Sequence, residues 1–279
     1  KELLLPLSGD IEQQRKVEKI AKNVANANTT AFKKDKAVFK EHLTAYEKGV
    51  DVDLPNKEWA PEDFYRTYGA EKANVVVDGT YTNFAQGPIR PTNNPLDVAL
   101  EGPGFLEVFG PNGVRYTRKG NLSVNNQGEI VTDLGMKVLA RVDLPEVGNG
   151  SEVIDVVKQI PQPKDRVLTV GNGPITINNQ GQIFQNGAVI GQLNIVEFSE
   201  GSSLKKEGNS LFINNDSRNI KKSQRETVVH QGALELSNVN TVEEMSNLIK
   251  AHRQLESIQR AIKTYDNMAN KSYNDIARF

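Results

Sequence analysis

The chain is bracketed by two stretches whose apolar residues recur at helical spacing, and the region between them alternates and turns as strands do. Apolar stripes of this length cannot be buried against a single small domain, so the order points to assembly rather than catalysis. At the carboxy end, Thr241 stands three residues before Glu244 at the head of an apolar run. In that pairing the hydroxyl caps the Glu244 amide and the carboxylate reaches back to the cap amide, which predicts a helix start. Leu248, Ala251, Leu255, Ile258, Ile262, Tyr265, Ala269, Ser272 and Ile276 then follow at steps of three and four, the spacing of a coiled-coil seam. Gly and Pro are absent from the run, and Glu243 and Glu244 suit the positive end of a helix dipole. The run exceeds the ~8–20 residues of an ordinary globular helix, which argues against a simple packing helix.

The amino-terminal stretch is a weaker counterpart. Leu4, Leu7 and Ile11 form one stripe, and Val17, Ile20 and Val24 form another, displaced as a near-heptad repeat drifts around a 3.6-residue helix. Pro6 has no amide to donate and so suits a helix start, while Gly9 weakens the first turns by about 1 kcal/mol relative to Ala. Asn26, Asn28, Thr29 and Thr30 prefer to bond their own backbone in turns and end the helix. Phe32 leads into the charged run Lys33-Lys34-Asp35-Lys36.

Between the ends, Phe105 to Phe109 and Val114 to Arg118 alternate on either side of Gly110-Pro111-Asn112-Gly113, a hairpin pattern. Asn186-Gly187 between Ile183-Phe184 and Val189-Ile190 signals a second hairpin. Val124-Asn125-Asn126-Gln127-Gly128-Glu129-Ile130 and Ile177-Asn178-Asn179-Gln180-Gly181-Gln182-Ile183 echo each other almost position for position. The echo is too short to mark a duplication and reads as one turn chemistry used twice, with Gly in the positive-φ position. Val75-Val76-Val77 and Tyr81 predict extended segments after the Pro- and Gly-interrupted stretch from Tyr46 to Pro61.

Composition narrows the function classes. With 279 residues and 37% hydrophobic content the chain can build a real core. A net charge of −1 provides no global field for nucleic acid or an anionic membrane, so neither nucleic-acid binding nor membrane insertion is expected. With no cysteines there are no disulfides or thiolate metal sites. Pro6 interrupts Leu3-Leu4-Leu5 before it could serve as a signal-peptide core, so export would proceed without a cleaved signal.

Three blocks resemble bacterial flagellar rod and hook axial proteins, in that family's order. The first is Asn23-Val24-Ala25-Asn26-Ala27-Asn28-Thr29-Thr30-Ala31-Phe32-Lys33. The central block comprises Asn94 to Phe105, Tyr116-Thr117-Arg118-Lys119-Gly120-Asn121 and Gly128 to Gly135. The third is Gln231-Gly232-Ala233-Leu234-Glu235-Leu236-Ser237-Asn238-Val239-Asn240-Thr241-Val242-Glu243-Glu244-Met245. Within the family, Gly113 to Thr117, Val196 to Phe198 and Lys206 to Asn209 look most like the proximal-rod member, with the distal-rod member as the near alternative. The family usually carries Gly where this chain has Ala31, so a positive φ there would strain the alanine.

The resemblance implies an α+β subunit: terminal helices at 1–35 and 236–279 pairing as a coiled-coil-like hairpin, an extended arm over 36–90, and a central, mostly antiparallel β domain over 91–235. It implies export through the type III apparatus, polymerisation with copies of itself and other rod subunits in the periplasmic rod, and torque transmission without a cofactor. The residues expected to meet neighbours are Leu7, Ile11, Val17, Ile20, Val24, Asn26, Asn28, Phe32, Leu248, Ala251, Leu255, Ile258, Ile262, Tyr265 and Ile276.

An enzyme finds little support. His42, His230 and His252 have no metal-ligand spacing, Gly102-Pro103-Gly104 and Gly171-Asn172-Gly173 complete no phosphate-binding loop, and there is no nucleophile elbow. Asp97 and Glu101 are one pair among 35 acidic residues, and Asp97 beside Pro95 reads as a turn residue. A secreted β-rich binding module would use the central region but leave the terminal stripes unexplained.

Overall fold

The computed structural model describes residues 4–44, 72–142, 161–221 and 226–276. The stretch Tyr46 to Pro61 lies outside them, as do the side chains of Leu7 and Ile276. The chain divides into two units. One holds residues 1–24, 35–81 and 241–279, the other residues 25–34 and 82–240.

The first unit contains α1 (Leu4–Ala25), the paired strands β1 (Asp35–Thr44) and β2 (Lys72–Thr82), and α2 (Thr241–Ile276). α2 begins at the predicted Thr241 and runs for 36 residues, about 54 Å at 1.5 Å per residue. The expected fold is corrected here: among the described residues the two terminal helices do not form a coiled-coil-like hairpin, and the structure is mainly β-sheet with one long carboxy-terminal helix and a shorter amino-terminal one. One hydrogen bond between the helices runs from Asn23 Nδ2 to Glu244 Oε2, 3.2 Å, joining the end of α1 to the first turn of α2. The physical reason lies in the stripes. Those of α1 drift around the helix, so they offer no continuous face to lie along the seam of α2. Ile11 is accordingly 48% exposed and Tyr265 59% exposed, whereas a closed seam would have covered both.

The second unit is built on a sheet of eight strands: β5 (Phe105–Gly110), β6 (Gly113–Thr117), β7 (Leu122–Val124), β8 (Ile130–Thr132), β9 (Lys137–Val138), β13 (Ile195–Val196), β14 (Lys205–Gly208) and β15 (Leu211–Ile213). The order is β14-β15-β6-β5-β9-β8-β7, with β13 also pairing β5, and all these pairings are antiparallel. The β5–β6 hairpin closes at Gly110↔Gly113, with Gly113 at φ +94°, where the sequence pattern puts the turn. Strands β10 (Ile175–Ile177), β11 (Gln182–Gln185) and β12 (Ala188–Gln192) form a second sheet. Its β11–β12 turn has Asn186 at φ 52° and Gly187 at φ 81°, the two successive positive values of a type I′ hairpin. Two short pairs complete the unit: β4 (Val98–Glu101) with β16 (Val228–Gln231), and β3 (Ile89–Pro91) with β17 (Ala233–Glu235).

The echoed sequences fold identically. Asn125 Oδ1 accepts from the amides of Gln127 and Glu129, and Asn178 Oδ1 from those of Gln180 and Gln182. Gly128 N and Gly181 N each donate back to the asparagine carbonyl, and both glycines have φ +78°. The side chain thus mimics a backbone turn, which is why the same residues recur.

The main core gathers Val98, Leu100, Leu106, Val108, Val138, Ile183, Leu193 and Val229. A second, aromatic cluster sets Phe105, Tyr116, Phe198 and Phe212 together with Phe84 packed against them, their rings 4.9–5.7 Å apart and mostly edge to face.

Candidate functional site

Two features are candidates: the outward face of α2 and the junction where the chain joins the β unit. On α2 the expected seam is only partly closed. Ala251 is buried, Leu248, Leu255, Ile258 and Ile262 are half-buried, and Tyr265 is exposed. A second stripe, which seam spacing did not single out, runs along Val242, Met245 and Ile249, 76%, 49% and 56% exposed. Their spacing of three then four was visible in the sequence, but Val242 and Met245 fall inside the family signature, where they read as a motif rather than a surface. On α1, Ile20 is buried and Val17 and Val24 are half-buried. Asn26 is half-buried, its carbonyl accepting from Thr29 N and its Oδ1 from Thr29 Oγ1, and Asn28 is exposed.

Asn23 brackets one residue with its amide: Nδ2 donates to Asp35 O at 2.9 Å and Oδ1 accepts from Asp35 N at 3.1 Å, as a neighbouring strand would. The Lys22 ammonium lies 3.3 Å from the Asp35 carboxylate.

Within the β unit, three passages of chain are knitted together: residues 31–34, 83–88 and 234–238. Ala31 N donates to Glu235 O, Asn83 N to Lys34 O, and Leu236 N to Pro88 O. The Asn238 side chain spans all three, accepting from Lys34 N at 2.7 Å and donating to Asn83 O and Ala85 O at 2.8 and 2.9 Å. Ala31 holds φ 54°, so the position where the family usually has Gly is left-handed and the alanine carries the strain, about 1–2 kcal/mol. Gly87 must be Gly because a Cβ would stand 2.1 Å from Leu236 O. Phe32 is buried here beneath the Lys206 ammonium, 4.1 Å from its ring centroid.

At the centre of the junction sits Glu235. Its Oε1 accepts from Lys33 Nζ at 2.6 Å and Gly87 N at 2.9 Å, and its Oε2 from Arg118 Nε at 2.9 Å. All three charged side chains are shut off from water. Lys33 also donates to Ala85 O, and Arg118 Nη2 to Leu100 O and Gly102 O. The arrangement joins chain passages and offers no nucleophile beside a base. Among the described residues no group of His, Asp and Glu is placed to hold a metal ion. His230 Nε2 lies 2.6 Å from Glu101 Oε2 in an exposed pair, and His252 is exposed on α2.

Comparisons with known proteins follow the same segments. The family described as "Flagellar hook protein FlgE/F/G D1 domain" matches residues 99–185, and that described as "Flagellar basal body rod FlgEFG protein C-terminal" matches residues 230–275. The flagellar basal-body rod protein FlgF of Caulobacter vibrioides is 30% identical over 276 residues, 99% of this chain and 96% of its own length. The rod protein FlgG of Borreliella burgdorferi is 32% identical over 268 residues, 94% and 93% of the two chains. FlgF of Mesorhizobium japonicum is 27% identical over 256 residues, 91% and 89% of the two.

Proposed function

Because this chain belongs to the flagellar basal-body rod protein family, with relatives named both FlgF and FlgG along nearly its whole length, we propose that it is a structural axial subunit of the rod, FlgF-like, that polymerises through its terminal helices. It resides in the flagellar basal body and assembles with copies of itself and with other rod subunits. It reaches that place through the type III export apparatus and transmits torque with no chemical step.

The observation that carries the reading is α2, a 36-residue helix with large apolar side chains on more than one side. Fully burying each such side chain is worth about 1.5–3 kcal/mol, so Val242, Met245, Ile249 and Tyr265 favour covering by neighbours. The interface consists of Leu7, Ile11, Val17, Ile20, Val24, Asn26, Asn28 and Phe32 on the amino-terminal side. Its carboxy-terminal part is Leu248, Ala251, Leu255, Ile258, Ile262, Tyr265 and Ile276. The FlgF-like assignment over a FlgG-like one rests on the Gly113–Thr117 hairpin and the Val196–Phe198 and Lys206–Asn209 segments.

Leu255→Asp and Ile262→Asp test the mechanism. Each is expected to keep the β unit folded by circular dichroism yet be absent from isolated basal bodies; normal incorporation of both refutes assembly through α2. Immunolabelling of the subunit in isolated basal bodies separates the FlgF-like from the FlgG-like position.

A further inference from the structure

The junction buries two cations with one anion. Lys33 comes from the segment that enters the β unit, Glu235 from the strand β17 that leaves it, and Arg118 from the segment after β6. The charged groups facing the Lys33 ammonium are Glu235 and Arg118, and its remaining acceptor is Ala85 O. Lys206 of β14 approaches from the backbone side, donating to Lys33 O at 2.7 Å, and adds a further positive charge. One carboxylate therefore balances only half of the charge that is shut away with it, and burying an uncompensated charge is costly.

We propose that the Lys33–Glu235–Arg118 cluster is a proton-linked latch, which binds the incoming segment to the outgoing strand more tightly once Lys33 gives up its proton. A neutral amine still has two hydrogens for Glu235 Oε1 and Ala85 O, so both bonds survive deprotonation while the surplus charge disappears. Burial first, then the Arg118 guanidinium, push Lys33 down from its ordinary 10.5 to about 8, against the pull of Glu235. The unfolded chain thus keeps the proton up to about 10.5, whereas the folded chain releases it near 8. Between those values the unfolded state binds more protons, so stability rises with pH. Below about 8 the full penalty is present.

The test uses the full chain. Urea unfolding of wild type and Lys33→Met across pH 7 to 9 should show the wild-type folding constant gaining about tenfold on the variant, the factor that this shift gives by proton linkage. Nuclear magnetic resonance of the Lys33 side chain should show it titrating near 8 in wild type and higher in Arg118→Gln. A ratio that stays flat with pH, or a wild-type Lys33 titrating near its ordinary 10.5, overturns the proposal. If Lys33→Met fails to fold, the wild-type titration decides alone. A cluster that merely packs would leave the pH profile of the variant parallel to that of wild type.

Discussion

Replacing Glu235 with Gln keeps the shape of the side chain and removes its charge. The carboxylate serves three donors, Lys33 Nζ and Gly87 N at one oxygen and Arg118 Nε at the other. Gln has one acceptor oxygen, so its amide nitrogen must face either the guanidinium or the ammonium, donor against donor. Two buried cations then lose their counter-ion. Breaking a buried pair by removing one partner costs about 3–5 kcal/mol. With a urea dependence of about 2 kcal/mol per molar, a loss of about 4 kcal/mol lowers the unfolding midpoint by about 2 M. Circular dichroism of the β-sheet signal at neutral pH measures it. The double variant Glu235→Gln, Lys33→Met removes one stranded charge and should recover about 2 kcal/mol, a coupling outside simple additivity. A Glu235→Gln loss below about 1 kcal/mol, or strict additivity in the double variant, would refute the claim that these charges are shut from water and depend on one another.

Two further outcomes follow from the geometry. Gly120→Ala would drive a Cβ to 1.6 Å from the backbone oxygen of Val98, and should cost about 3 kcal/mol or more by parting β4 from the passage after β6, where Val98 N donates to Gly120 O. Gly135→Ala meets nothing within 4 Å and bears only its φ of +73°, about 1–2 kcal/mol, so the two midpoints in one urea series should differ clearly. Burial alone would raise the Glu197 carboxyl, but hydrogen bonds from Thr227 Oγ1 and the amides of Glu226 and Thr227, with the charge of Lys221, hold it below the ordinary 4.5. Its stabilisation is complete above 4.5 and is lost as pH falls through the depressed value. The stability gap between wild type and Glu197→Gln should therefore close under acid, and a gap that is constant from neutral pH to below 4 contradicts the assignment.

What could be read from the sequence was local. Asn125 and Asn178 announce their turns because the side chain itself makes the bonds that define them, and Asn186-Gly187 requires two positive φ values that few other residues accept. Thr241 marked the start of α2 through the pattern it makes with Glu244 three residues on. The pairing of the helices was not legible. Seam spacing in α2 says that a partner exists, not that the partner is α1, and the drifting stripe of α1 could not follow it. The junction was hidden more thoroughly. Lys33 stands in a run of charges that looks like solvated surface, and only contact with Glu235, 202 positions away, and Arg118 makes burial possible. Glu235 and Asn238 were visible only as letters of a signature, without a physical role, because their partners come from three separate passages of chain. Ala31 was the exception: its departure from glycine raised the question of strain, and its φ of 54° answers it.

Asn238 has a mechanical consequence. It ties Lys34 and the 83–85 passage to the strand that leaves the β unit, so the covalent ends of that unit emerge side by side. A tug along the polypeptide from one end to the other would be borne first by these few crosslinks and by the Lys206 contact from β14, the edge strand of the eight-stranded sheet. The sheet hangs from this clasp as a pendant rather than as a link in the chain. Loops at its far edges can therefore lengthen or shorten without altering the path along which strain is carried.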